Sequence, residues 1–137
     1  MRWADQLIKL SNFELELLQT RLAEVVGRRE AASVKLAVLT AQGEAEIAVA
    51  RRDPESAWNV GAFTEALKQK KRAAQHDIDR IAAEETGVRD AIAEAFETLK
   101  KYEQVAENAR LAQVREAARR ETATLDELGL RRASGRR

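Results

Sequence analysis

The feature that most constrains the fold is Pro54, the only proline in a chain of 137 residues. Proline is accepted in the first turn of a helix, but it disrupts a helix interior because it lacks an N–H donor and its ring clashes with the preceding turn. Both flanks of Pro54 are rich in strong helix formers, chiefly Ala, Leu, Glu, Lys, Arg and Gln. One break between two long helical halves predicts an all-α fold, a long antiparallel two-helix coiled-coil hairpin.

Apolar residues on each side of the break repeat at the spacing of heptad positions a and d, which face the partner helix in a coiled coil. In this pattern Arg29 must extend its charge to water, and Gly43 permits close approach but weakens its helix. In the first half the positions are Leu15, Leu18, Leu22, Val25, Arg29, Ala32, Leu36, Leu39 and Gly43. In the second half they are Leu67, Ala74, Ile78, Ile81, Glu85, Val88, Ile92, Ala95, Leu99, Tyr102, Ala106 and Ala109.

The turn of the hairpin is expected within residues 51–61, where two interpretations stay open. Residues 53–55, Asp-Pro-Glu, have the order of an N-cap, a first-turn proline and a first-turn acid, which predicts a helix start there. Asn59 and Gly61 instead indicate a longer loop, with the second helix starting near Ala62.

The second helix is expected to extend past the first beyond about Ala109. Residues 110–137 contain eight arginines against four acidic residues, hence a net charge of +4. Thr124 and Glu127 have the spacing of a capping box, which predicts a separate short helix. We therefore assign residues 1–122 to the coiled-coil hairpin with its C-terminal helical overhang, and residues 123–137 to a short terminal helix followed by a basic, disordered tail.

The composition argues against catalysis and against metal or cofactor binding. The chain has no cysteine and one histidine, His76, expected near the coiled-coil core. Its six glycines are dispersed, and acidic neighbours such as Glu84 and Glu85 are expected on open helical surface, where nothing tunes them for acid–base chemistry. No apolar run is long enough to span a bilayer, and Asp5 and Lys9 interrupt any signal-peptide core. We expect a soluble, non-enzymatic cytosolic protein.

Two regions are candidates for contact with partners. Trp58, Val60, Phe63 and Leu67 concentrate bulky apolar surface near the turn, and the last two are i,i+4 neighbours on one helix face. That pattern fits either packing at the end of the hairpin or anchors presented to a partner. The arginine-rich C-terminal region has the charge of a nucleic-acid site, but it lacks aromatic residues for base stacking, and the whole chain carries only +1. A protein-docking or solvated segment is favoured.

Taken together, these features resemble the FliJ family, the small coiled-coil protein of the flagellar type III export apparatus. The resemblance covers nearly the whole chain. The chain departs from the family pattern at Gln42 and Glu46, where relatives can carry aromatic residues. It rests on Leu7 and Leu10 in the opening helix, the LAVL segment at residues 36–39, Trp58 with Phe63 and Leu67, and the C-terminal LDELGLRRA.

The resemblance implies a coiled-coil stalk that docks one end in the pore of the hexameric export ATPase (FliI). It also implies contact with the cytoplasmic domain of the export gate (FlhA) and escort of unloaded export chaperones. The implied location is cytoplasmic, at the cytoplasmic face of the inner membrane at the flagellar base, without direct insertion into the membrane.

The expected gate-binding residues combine those implied by the resemblance with the cluster near the turn: Leu39, Gln42, Trp58, Val60, Phe63 and Leu67. The resemblance implies an ATPase-facing end that combines the N-terminal turns with the arginine-rich overhang. The expected ATPase-binding residues there are Arg115, Arg119, Arg120, Arg131 and Arg132. Alternative interpretations are a coiled-coil hairpin that binds nucleic acid or acts as a general chaperone, and a homodimeric four-helix bundle. Steep weakening of binding by salt would distinguish contact with nucleic-acid phosphates from an apolar contact.

Overall fold

The computed structural model describes residues 2–135 and is an all-α helical hairpin, which confirms the predicted fold. Helix α1 spans Arg2–Arg52 and helix α2 spans Val60–Gly135, with a single 3₁₀ turn at Ala57–Asn59 between them. The chain divides into two compact units. We call Glu16–Ala93 the tip unit, and Met1–Leu15 with Glu94–Arg137 the terminal unit.

The connection between the helices occupies residues 53–59 and is held by Asp53. The Asp53 carboxylate accepts a hydrogen bond from the Glu55 backbone N–H at 3.2 Å and another from the Ser56 hydroxyl at 2.9 Å. Its carbonyl accepts one from the Ala57 N–H at 3.0 Å. Asp53 thus caps a short turn that precedes α2, and α2 itself begins at Val60. No described residue has a positive φ, so this connection does not depend on a glycine in the left-handed region.

In the tip unit, the coiled-coil core follows the predicted heptads. Every predicted a and d residue of this unit is buried or half-buried, and Val25 is fully buried. The 3–4 spacing in α2 continues toward the turn through Lys71, Thr64 and Val60, which the sequence analysis did not include. In α1 the spacing slips by one residue after Gly43, so that Ile47 is buried there.

In the terminal unit, small residues carry much of the packing. Ala4, Ser11 and Leu15 of α1 and Leu99 of α2 are buried. All residues from 111 to 135 are exposed, as expected for a helix that has extended past its partner.

Helix α2 has no break at residue 122, so the separate terminal helix expected from residue 123 is wrong. The Thr124 hydroxyl does not cap a helix; it donates a hydrogen bond to the Arg120 carbonyl at 2.9 Å, as threonine does inside a helix. Residues 131–135, expected in a disordered tail, are helical. Arg136 and Arg137, the rest of that tail, lie outside the described residues.

A group of charged residues links the two helices inside the tip unit. Arg29 and Glu85 both occupy a positions, and the Arg29 guanidinium lies 3.4 Å from a Glu85 carboxylate oxygen. Glu85 is only 8% exposed, and its Oε1 atom has no hydrogen-bond partner, with Arg89 at 3.8 Å. The expectation that Glu84 and Glu85 lie on open surface is therefore wrong, because α1 covers this part of α2.

Glu84 forms the more exposed part of the same group. Its carboxylate accepts hydrogen bonds from Arg28 at 3.1 Å and from Arg21. Arg29, which the apolar pattern predicts to extend its charge to water, thus pairs with an acid on the opposite helix. Such a pair adds little net stability, but it penalises alternative registers that would leave either charge buried alone.

Gly43 provides the closest approach between the helices. A Cβ atom at this position would lie 2.5 Å from Leu67 Cδ1 and 2.6 Å from Leu67 Cδ2. The predicted role of Gly43 in close packing therefore has a defined cause: the Leu67 side chain occupies the space that any larger residue would need.

The Arg29–Glu85 pair gives a first prediction. Arg29→Leu leaves Glu85 buried without its main counter-charge, and we expect the free energy of unfolding to fall by about 2 kcal/mol. Adding Glu85→Leu should restore or exceed the original stability, because two leucines then face each other in the core. Urea denaturation followed by circular dichroism measures both. Arg80→Ala, which breaks the exposed Arg80–Asp77 pair, is the control. Equal stability of the Arg29→Leu single variant and the double variant would contradict this account.

The glycines give a second prediction. We expect Gly43→Ala to be less stable than Gly87→Ala by about 1–2 kcal/mol, because only the first substitution displaces a buried side chain. Gly87 has no atom within 4 Å of an added Cβ, so its replacement by alanine should gain helix propensity, about 1 kcal/mol. Thermal unfolding measures the stability of the two variants. An equal increase in stability for both would show that Gly43 is not required for packing.

Candidate functional site

The two helices enclose a groove near the turn, within the tip unit, which we call the tip groove. It has a volume of about 200 Å³. Four of the six predicted gate-binding residues line it: Leu39, Gln42, Phe63 and Leu67. The remaining lining residues are Gly43, Glu46, Ala66 and Lys70.

The side chains of the tip groove differ in how much surface they can offer. Leu67 occupies a d position and is only 8% exposed, so it forms the floor. Phe63 lies one helical turn earlier and is 39% exposed, which leaves much of its ring available to a partner. Gln42 and Glu46 are exposed on the α1 wall. This arrangement offers an aromatic anchor beside polar groups, a combination suited to binding.

Trp58 and Val60 do not line the tip groove. Trp58 lies in the 3₁₀ turn and is 83% exposed. Val60 is half-buried and begins α2. The cluster that sequence spacing grouped near the turn is therefore divided, with Phe63 and Leu67 in a groove and Trp58 on open surface.

A second groove adjoins the first in the same unit, and we call it the alanine groove. Its volume is about 330 Å³, and it shares Leu39 and Lys70 with the tip groove. Residue spacing does not reveal this groove, because alanines at core positions are expected to serve helix packing only. The other residues that line it are Ala32, Lys35, Ala73, Ala74 and Asp77.

All five arginines predicted to bind the ATPase are exposed on α2 in the terminal unit. Three of them make local ion pairs: Arg119 and Arg120 with Glu116, at 3.8 and 3.4 Å, and Arg131 with Glu127 at 3.0 Å. Within the described chain, Arg115 and Arg132 form none.

The same segment also exposes apolar side chains that sequence analysis passed over. Spacing could have found them, because three- and four-residue steps connect Leu111, Val114 and Ala118, and again Leu125 and Leu128. The C-terminal part of α2 thus offers an amphipathic surface in addition to positive charge.

The terminal unit has a groove of its own, lined mainly by charged side chains. Asp5 and Ile8 of α1 face Glu103, Glu107 and Arg110 of α2 across it. The Arg110 guanidinium donates hydrogen bonds to both carboxylate oxygens of Glu107, at 2.7 and 3.0 Å. These hydrogen bonds lower the pKa of Glu107 and raise that of Arg110, so the pair keeps both charges.

The described residues contain no feature of a metal centre or a membrane span. No group of three or more His, Asp or Glu side chains between residues 2 and 135 is arranged to hold a metal ion. His76, expected near the core, is exposed. Neither α1 nor α2, over the same range, has a stretch apolar enough to cross a bilayer.

Comparison with known proteins supports the resemblance noted above. The chain is 43% identical over 133 residues to the "Flagellar FliJ protein" of Caulobacter vibrioides strain NA1000 / CB15N, and the match covers 97% of this chain and 96% of the relative. The protein of the same name from strain CB 15 (ATCC 19089) matches to the same extent. No protein-family model matches the chain, and no solved structure matches it. Because identity at this level extends over nearly the full length of both chains, the chain belongs to the FliJ family of flagellar proteins.

Proposed function

We propose that the protein acts in flagellar protein export as a non-enzymatic coiled-coil stalk between the hexameric export ATPase (FliI) and the cytoplasmic domain of the export gate (FlhA). The observation that carries the proposal is full-length similarity to flagellar FliJ proteins, combined with two candidate docking surfaces on a two-helix hairpin. In this proposal the protein also escorts unloaded export chaperones and works at the cytoplasmic face of the inner membrane.

The tip groove is the proposed contact for the gate. Phe63 supplies the partly exposed aromatic ring, and Leu67 supports it from the core. Aromatic anchors at the centre of a contact often contribute most of its binding energy. Trp58 and Val60 stay candidate contacts outside the groove, and Trp58 has the more exposed side chain.

The C-terminal part of α2 is the proposed contact for the ATPase. Its exposed arginines suit an acidic surface, and its exposed leucines and valine supply apolar contact area. The charges steer association and fix orientation, whereas the apolar residues contribute most of the burial.

Such a stalk needs no reactive group, because its work is done by differences in binding energy. If its two surfaces bind one state of the ATPase or of the gate more tightly than another, the occupied partner biases the other through the shared chain. The coiled-coil core then serves to hold the two contact surfaces on one folded molecule.

Replacement of Phe63 tests the gate contact. We expect Phe63→Ala to weaken binding of the purified gate cytoplasmic domain by about tenfold or more and to impair motility, because it removes the exposed anchor. Phe96→Ala is a matched control, since Phe96 is a similarly exposed phenylalanine on the same helix in the terminal unit. Leu67 is less suitable, because truncating it opens a cavity in the core. Equal gate affinities for the two variants, measured by calorimetry, would remove the tip groove from the gate contact.

Replacement of the arginines tests the ATPase contact. The triple substitution Arg115→Ser/Arg119→Ser/Arg120→Ser should lower affinity for the ATPase by about tenfold at low salt, and by less at high salt. Gate affinity should not change. The control, Arg51→Ser/Arg52→Ser/Arg72→Ser, removes the same charge from exposed sites in the tip unit. If both triple variants lose ATPase affinity equally, net charge and not the C-terminal surface is responsible.

A further inference from the structure

The tip groove and the alanine groove form one continuous surface, because Leu39 and Lys70 line both. On α1 the lining residues run from Ala32 to Glu46, and on α2 they run from Phe63 to Asp77. Each wall is therefore about 21 Å long at 1.5 Å per helical residue. We call the whole the composite groove; it matches about four turns of a third helix.

Small side chains make up five of the thirteen residues that line the composite groove, beside the buried Leu67 at its floor. Ala32, Ala73 and Ala74 line the part farther from the turn, and Gly43 and Ala66 line the part nearer to it. Small residues let a third backbone approach closely, and the 3–4 spacing of the walls matches the ridges of a packed helix. Phe63, the one aromatic residue in the lining, provides the bulky contact at the end nearer the turn.

The charges along the composite groove are arranged unevenly. Lys70 lies at the middle of the α2 wall and lines both grooves, whereas Lys35 lies one turn from the Ala32 end of the α1 wall; both are exposed, and neither forms an ion pair within residues 2–135. The acids lie toward the ends, with Glu46 in the tip groove and Asp77 in the alanine groove, where Arg80 lies 3.9 Å from the Asp77 carboxylate. The middle of the groove is thus positive and favours a carboxylate on its occupant.

We infer that the composite groove binds a single amphipathic helix from the cytoplasmic domain of the export gate, about four turns long. Its apolar side chains pack on the small residues of the groove and against Phe63, and an acidic side chain near its centre lies beside Lys70. The inference rests on the proposed function, which supplies the gate as the partner. It adds the class of element that docks, the length of the contact and the charge that selects it.

Reversal of one lysine tests the charge. Lys70→Glu should weaken binding of the purified gate cytoplasmic domain by about tenfold, because it replaces attraction by repulsion at a close charge pair. Lys68→Glu is the matched control: it makes the same charge change two residues away, at an exposed position outside the groove. Its affinity should stay within about twofold of the original. Calorimetry at low and high salt should show the difference shrinking as salt rises.

Filling part of the groove tests the fit of a helix without a change in charge. Ala73→Gln places a longer side chain at an exposed position in the groove, whereas Ala83→Gln does so elsewhere on α2. We expect only Ala73→Gln to weaken gate binding, by about fivefold or more. Circular dichroism should show equal helix content, since both positions are exposed. A photo-crosslinker at residue 73 should attach to a helical, acid-bearing segment of the gate domain.

The outcomes separate this inference from the proposed function. If Phe63→Ala weakens gate binding while Lys70→Glu and Ala73→Gln behave like their controls, the gate contact stands and the third-helix site is wrong. If the unmodified protein does not bind the gate domain, both fail. If sedimentation shows a dimer that Ala73→Gln dissociates, the groove is occupied by a second copy of the chain, which overturns the inference.

Discussion

Burial of the a and d side chains between α1 and α2 is the interaction on which the structure depends. Neither helix has an enclosed core of its own, and in the tip unit each buries its apolar face only against the other. The side chains involved are mostly small or aliphatic, and among the described residues Val25 is the largest that is fully buried. This explains why close approach, as at Gly43, carries so much of the packing.

Polar and small residues select one register from those that a repeating apolar pattern permits. In the observed alignment Arg29 lies 3.4 Å from Glu85 and Gly43 makes room for Leu67, and a slipped register would separate both contacts. Apolar heptads alone tolerate a slip of one repeat, whereas a buried carboxylate without a counter-charge does not. The features that weaken the coiled coil locally are thus the ones that specify it.

In a two-helix coiled coil, partner binding must use the side chains that remain exposed outside the core. Phe63 lies beside the core and keeps much of its ring exposed, and every α2 residue from 111 to 135, including five arginines, is exposed. Membership of the FliJ family places the chain among flagellar proteins, and the proposed contacts use the grooves and charges that this hairpin presents. No step in the proposal requires a catalytic group.

The sequence by itself determined the helical hairpin, because one proline between two heptad patterns has few other solutions. In the tip unit, heptad phase also predicted the buried face of α1 as far as Gly43. Residue spacing also identified Phe63 and Leu67, and the family resemblance added Leu39 and Gln42; the structure brings these four together in one groove. Only the tertiary structure decided that Trp58 lies apart from them, that Glu85 is covered, and that α2 continues past Thr124. These three features depend on which residues the opposite helix covers and on which backbone group a side chain bonds. Local residue spacing encodes neither the covering helix nor the bonded group. The composite groove has the same origin, since it exists only where the walls of α1 and α2 face each other.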